Sequence, residues 1–193
     1  TNIDARVHEG DTYVDLVYRG LGRWPNRPAI VDATGINLTY LELKRRINQF
    51  ANTLKAMGLE HGDGLAQLAS NRADAFVTMV AALRLGVRYT PLHPLGSLED
   101  QLYIIGDAEI TVLVVDVPVF SKRGTELCDQ AGDNVRVVSL GVSEFGDDLV
   151  DMSASANDTL DAPLPEQGDI AWVTYTGGTT GKPKGVIHTE SSM

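Results

Sequence analysis

Between Thr176 and Pro183 the chain reads TGGTTGKP, with three glycines, three threonines, a lysine and a proline in eight positions. Residues of these types in such a run can cradle a polyphosphate. Glycines let the backbone approach a ligand with no Cβ in the way, and successive N–H groups can then converge on anionic oxygens. The hydroxyls of Thr176, Thr179 and Thr180 add donors, and Lys182 and Lys184 add positive charge. A Walker A loop needs Gly, four residues, then Gly-Lys and Ser or Thr. Here Gly177 is followed by three residues, then Gly181, Lys182 and Pro183. Proline lacks an N–H and fixes φ, so the loop does not run on as a phosphate-capping helix. It is a phosphate loop of another kind.

The secondary structure that holds this loop in place alternates along the chain. The apolar run Ile170 to Val173 suits a buried strand, and residues 169–175 are expected to deliver the chain into the loop. Upstream, residues 11–23 read as a weakly amphipathic helix closed by Pro25, followed by short strands at 29–31 and 36–38 around a turn at 32–35. Thr39 with Glu42 is a capping box, and Leu43, Ile47, Phe50, Leu54 and Met57 follow at helical spacing until Gly58. The polar face of that helix, Lys44, Arg45, Arg46 and Lys55, reads as solvated. A strand at 65–68 precedes a helix expected to be capped by Asn71, with Asp74 in its first turn and Gly86 at its end. A strand at 87–90, a helix opened by Ser97 and Asp100, and the β-branched run TVLVVD at 111–116 come next. A helix at 117–131 and a strand at 135–140 complete the alternation, which specifies an α/β fold with a mostly parallel sheet flanked by helices.

From Gly141 to Gly168 acidic residues, Ser, Asn and Pro dominate. This segment reads as a long solvent-exposed connection, and without EF-hand spacing it holds no calcium site. No metal-ligating set is assigned anywhere. The chain of 193 residues carries a net charge of −10, which argues against nucleic acid or an anionic membrane as partner. The single cysteine, Cys128, cannot form an internal disulfide and is read as a packing residue, which fits a reducing cytoplasm. No apolar run approaches the ~20 residues of a membrane span.

The terminal run YTGGTTGKPKGV resembles the signature YTSGTTGxPKGV of the AMP-forming adenylate-forming superfamily, which includes acyl-CoA synthetases, aryl-CoA ligases, luciferases and peptide-synthetase adenylation domains. Gly177 stands where serine is usual, as it often does in fatty-acyl-CoA ligases. The stretch from Leu38 to Asp63 is similar to the family's LTYxEL motif, and Met79 to Ser97 resembles its next conserved segment, so the likeness runs colinearly through nearly the whole chain. The resemblance implies the N-terminal part of the large domain of an adenylate-forming enzyme, with ATP, Mg²⁺, CoA and a carboxylic acid, by Gly177 a fatty acid, as cofactors and substrates of the parent. It implies that Thr176, Gly177, Gly178, Thr179, Thr180, Gly181 and Lys182 hold the β and γ phosphates, with Lys184 as the catalytic cation. Family members are more than twice as long, so the stop at Ser191, Ser192, Met193 is read as that of a fragment, inactive alone and exposing apolar surface through which it could self-associate. A noncatalytic nucleotide-binding or interaction module and an adenylation enzyme with a non-CoA acceptor are the alternatives. After the loop the family commonly has Ser or Thr followed by His. Here Thr189 is followed by Glu190, and the histidine, His188, comes earlier. The loop itself is expected to be poorly ordered without its ligand.

Overall fold

A computed structural model describes residues 12–33, 35–177 and 181–193. Helix α1 (Tyr13–Arg23) begins at Thr12, whose side chain accepts from Asp15 N, and buries Val14 and Leu21; Asp11 lies outside the described residues. Strands β1 (Pro28–Val31) and β2 (Asn37–Thr39) pair antiparallel as a separate two-stranded ribbon. Helix α2 (Tyr40–Ala56) has the full capping box of Thr39 and Glu42 and buries Leu43, Ile47, Phe50 and Leu54 on one stripe. Gly58 ends it with φ +97°, a conformation that favours glycine.

Strand β3 (Gly64–Leu68) is buried at every position. Helix α3 (Ala73–Arg84) starts one residue later than Asn71 predicts: its N-cap is Arg72, which makes no side-chain cap. The reason is non-local. Asp32, from the β1–β2 turn, accepts from Ala73 N at 2.9 Å and so satisfies one of the first-turn donors that a capping side chain would take. Strand β4 (Arg88–Pro91) follows, then α4 (Leu98–Asp107), capped as expected by Ser97 accepting from Asp100 N. Strand β5 (Ile110–Asp116) leads into α5 (Val117–Gln130), which kinks at Phe120 and passes Gly124 against the Phe145 ring, where a Cβ would lie 2.4 Å from the ring edge. Half-buried Cys128 donates its thiol to Phe145 O at 3.4 Å, in keeping with a packing residue.

After β6 (Arg136–Leu140) the structure corrects the expectation of a bare exposed connection. Residues 147–154 form β7 (Asp147–Asp148), parallel to β6, and α6 (Leu149–Ala154). Asp148 caps α6 by accepting from Val150 N, and Leu149 is fully buried. The chain beyond α6 is then hydrogen-bonded along α2 and α3. Asn48 Nδ2 donates to Asp158 O, Asn52 Nδ2 to Asn157 O and Thr159 O, and Arg84 to Ala162 O and Pro163 O. The polar face of α2 is therefore partly covered: Arg45 pairs with Asp158 and Arg46 with Asp74.

Strand β8 (Ile170–Thr176) and β9 (Lys184–Thr189) complete a seven-stranded sheet of order β7-β6-β5-β3-β4-β8-β9, parallel throughout except for β9. The sheet interior is buried on both faces. Val112 and Val114 of β5 join the cluster under α1, α2, α3 and α6, while Leu113 and Val115 join the one under α4 and α5. Among the described residues no helix is long and apolar enough to cross a membrane.

Candidate phosphate-binding site

The glycine- and threonine-rich loop is the tip of the β8–β9 hairpin. Thr176 pairs across the ladder with Lys184, so residues 177–183 leave the sheet and return to it over a fixed base. Strand β9, like β7 and α6, was missed by sequence reasoning. Its residues read as the tail of a motif, and Lys184 to Ile187 are all exposed, so no buried alternation announces a strand.

Thr176, Gly177, Gly181, Lys182 and Lys184 are exposed at this tip. At Gly177 and Gly181 a Cβ would meet nothing within 4 Å among the described residues, and that open space suits a ligand approaching the backbone. Gly185 differs: a Cβ there would stand 3.1 Å from Val173 and 3.2 Å from the Tyr175 ring, which makes it a packing glycine. Gly178, Thr179 and Thr180 lie outside the described residues, as does that part of the loop's expected disorder. Among the described residues neither Lys182 nor Lys184 is in a salt bridge. Their charges are thus not neutralised by a carboxylate in the described structure.

The base of the loop rests on α4. Tyr175 donates its hydroxyl to Asp107 Oδ2 at 2.6 Å, and Tyr103, one turn earlier on α4, donates to Oδ1 of the same carboxylate at 3.1 Å. Burial, then the neighbouring Asp107 carboxylate, raises the Tyr175 phenol above its ordinary value; hydrogen bonding to Asp107 raises Tyr103. The Lys182 ammonium lies 4.7 Å from the centroid of the Tyr103 ring. The contacts of Tyr175 and Lys182 with α4 were not predictable, because they join segments distant in sequence, and a tyrosine four residues before an aspartate carries no signature of its own.

At the other end of β9, His188 stands opposite Trp172 and is partly buried. Glu190, where the resemblance puts histidine, is 2% exposed. Its carboxylate accepts from Val14 N at 3.1 Å and its carbonyl from Tyr13 N at 3.1 Å, so it ties the start of α1 to the end of the hairpin. Burial pushes its carboxyl up, the Val14 N–H opposes that shift, and Asp169 adds to it. Glu190 is a structural cap in this chain.

A cavity of about 550 Å³ opens beside the carboxyl ends of β3 and β4, on the edge of the sheet from which the hairpin also projects. Phe76, Met79, Tyr89 and Trp172 wall it, with Gln67 and Arg72 among its polar lining. Next to it an ion-pair chain links the carboxyl ends of the paired strands β3 and β5. Asp116, fully buried, accepts from Ser70 N, Ser70 Oγ and Arg72 Nη1; Arg72 Nη2 continues to Asp74, which Arg46 also holds. This framework fixes the carboxyl edge of the sheet. Among the described residues no three His, Cys, Asp or Glu side chains form a group that could hold a metal ion.

A family model described as AMP-binding enzyme matches residues 18–193. The chain is 35% identical over 187 residues to the medium/long-chain-fatty-acid–CoA ligase FadD8 of Mycobacterium tuberculosis, covering 92% of this chain and 32% of that protein. It is 34% identical to an L-proline–[L-prolyl-carrier protein] ligase of Pseudomonas fluorescens, covering 89% of this chain and 33% of the relative. The crystal structure of ATP-bound MatB from Rhodopseudomonas palustris superposes with a TM-score of 0.74 at 29% identity, over 90% of this chain and 34% of MatB. The chain therefore spans about a third of the length of the curated relatives it matches.

Proposed function

This chain belongs to the AMP-binding enzyme family, and from that premise we propose that it is the N-terminal part of an ATP-dependent acyl-CoA synthetase that activates a fatty acid and transfers it to CoA. The observation that carries the reading is the hairpin tip: an exposed, glycine-lined loop with two lysines outside any salt bridge among the described residues, held by the carboxyl edge of a parallel sheet. The fatty-acid assignment rests on Gly177 in the position usually taken by serine and on the similarity to a fatty-acid–CoA ligase.

In this reading the acid's carboxylate attacks the α-phosphate of ATP. The new P–O bond forms as the bond to pyrophosphate breaks, giving acyl-AMP, and the CoA thiol then displaces AMP. The first step brings anions together and moves charge onto pyrophosphate, so positioning and neutralisation are what the protein must supply. We assign the β and γ phosphates to the hydroxyls of Thr176, Thr179 and Thr180 and to the backbone of Gly177, Gly178 and Gly181, with Lys182 beside them. Lys184 balances the charge of the leaving pyrophosphate. Its place at the first residue of β9, opposite Thr176, fixes its Cα relative to the loop. Among the described residues no three His, Cys, Asp or Glu side chains form a group that could hold the Mg²⁺ such chemistry uses, and no step here is assigned to it.

The proposal places the protein in the cytoplasm. It also makes β9 an incomplete edge, where Val186 and Ile187 are 44% and 60% exposed, and self-association of the isolated chain would use that edge. A second reading, with a carrier-protein thiol as acceptor, is favoured by one observation, the similarity to a carrier-protein ligase. The two separate by acceptor. Given ATP, a medium- or long-chain fatty acid and free CoA, the full-length protein is expected to accumulate acyl-CoA. Loading of a phosphopantetheinylated carrier protein with no free acyl-CoA would overturn the CoA assignment.

A further inference from the structure

We propose that Tyr103 sets the polyphosphate affinity of the hairpin loop by holding the Lys182 ammonium on its ring, so that a phosphate must win this cation from α4. The inference rests on the reading of the loop as a polyphosphate site. Helix α4 touches both limbs of the hairpin: Asp107 binds the Tyr175 hydroxyl on the incoming strand, and Tyr103 holds Lys182 on the outgoing limb. Tyr103 and Asp107 are four residues apart and share one face of α4, which lets the Tyr103 hydroxyl reach the same carboxylate.

The division of partners matters. Both Asp107 oxygens are taken by phenol hydroxyls, and Lys182 is not in a salt bridge among the described residues; its described contact is the ring face, 4.7 Å away. A phenol that donates to a carboxylate has a more electron-rich ring, which strengthens attraction for a cation above it. Cation–π attraction at a partly exposed ring is weak beside a phosphate dianion, so the ring holds Lys182 reversibly and moderates the affinity without abolishing binding. Tyr103 is thus a positioning residue that acts through Lys182.

The test is calorimetric titration of the 193-residue chain with inorganic tripolyphosphate. Tyr103→Leu frees Lys182 while keeping an apolar, helix-favouring side chain, and is expected to tighten binding roughly two- to five-fold, the scale of one exposed cation–π contact. Tyr103→Phe retains the ring and should stay within about two-fold of the parent chain. In a Lys182→Ala background, Tyr103→Leu should change nothing, a result that a general structural effect of Tyr103 would not produce. Unchanged or weakened binding by Tyr103→Leu, or tightening that persists without Lys182, overturns the inference. A parent chain that binds no tripolyphosphate overturns the loop reading itself.

Discussion

Replacing Lys184 by alanine in the full-length protein is expected to lower acid-dependent ATP–pyrophosphate exchange at least ten-fold. A unit charge about 4 Å from another contributes on the order of 4 kcal/mol at an effective dielectric near 20. Only the part of that interaction that grows as charge moves onto pyrophosphate lowers the barrier. A ten-fold effect needs about 1.4 kcal/mol, roughly a third of the whole, so the expectation is conservative. The fold should not suffer. Lys184 is exposed, its backbone and not its side chain pairs with Thr176, and among the described residues it holds no carboxylate. Exchange at the parent rate in a protein with unchanged thermal stability would remove Lys184 from the chemistry.

Asp116→Ala is expected to cost the chain about 3–5 kcal/mol of unfolding free energy, read from urea titration. Asp116 is fully buried and accepts from the Ser70 backbone, the Ser70 hydroxyl and Arg72. Truncating it strands a mostly buried guanidinium with Asp74 alone, and it removes the acceptor for two Ser70 donors. Asp116→Asn keeps one acceptor oxygen and loses the charge, and should fall between the two. A loss below about 1 kcal/mol for the alanine variant would mean that water replaces these bonds and that the network does not hold the sheet's carboxyl edge.

What the sequence disclosed and what it hid divide along the range of the interactions. The Thr39 and Ser97 caps were legible because both partners lie within one helical turn. The start of α3 was misplaced onto Asn71 because the group that satisfies Ala73 N, Asp32, comes from 41 residues away. TVLVVD announced a strand buried on both faces because its apolar run is unbroken. Helix α6 stayed hidden because one buried leucine, Leu149, sits in an acidic and polar stretch whose composition dominates any window. At the site, residue types disclosed the loop, and the described part of it lies on the hairpin tip. The geometry beneath it was illegible: the bond from Tyr175 to Asp107, the seat of Lys182 over the Tyr103 ring and the burial of Glu190 under α1 all join segments distant in sequence.

We propose that this domain carries the phosphate loop of an AMP-forming ligase. The most direct measurement is nucleotide product analysis of the full-length protein, with ATP and a fatty acid supplied and CoA withheld, then added. Acid-dependent exchange of labelled pyrophosphate into ATP is expected before CoA is present, and equal amounts of AMP and pyrophosphate once it is. Acid-dependent release of ADP and phosphate, or no acid dependence with any carboxylic acid tried, would contradict it.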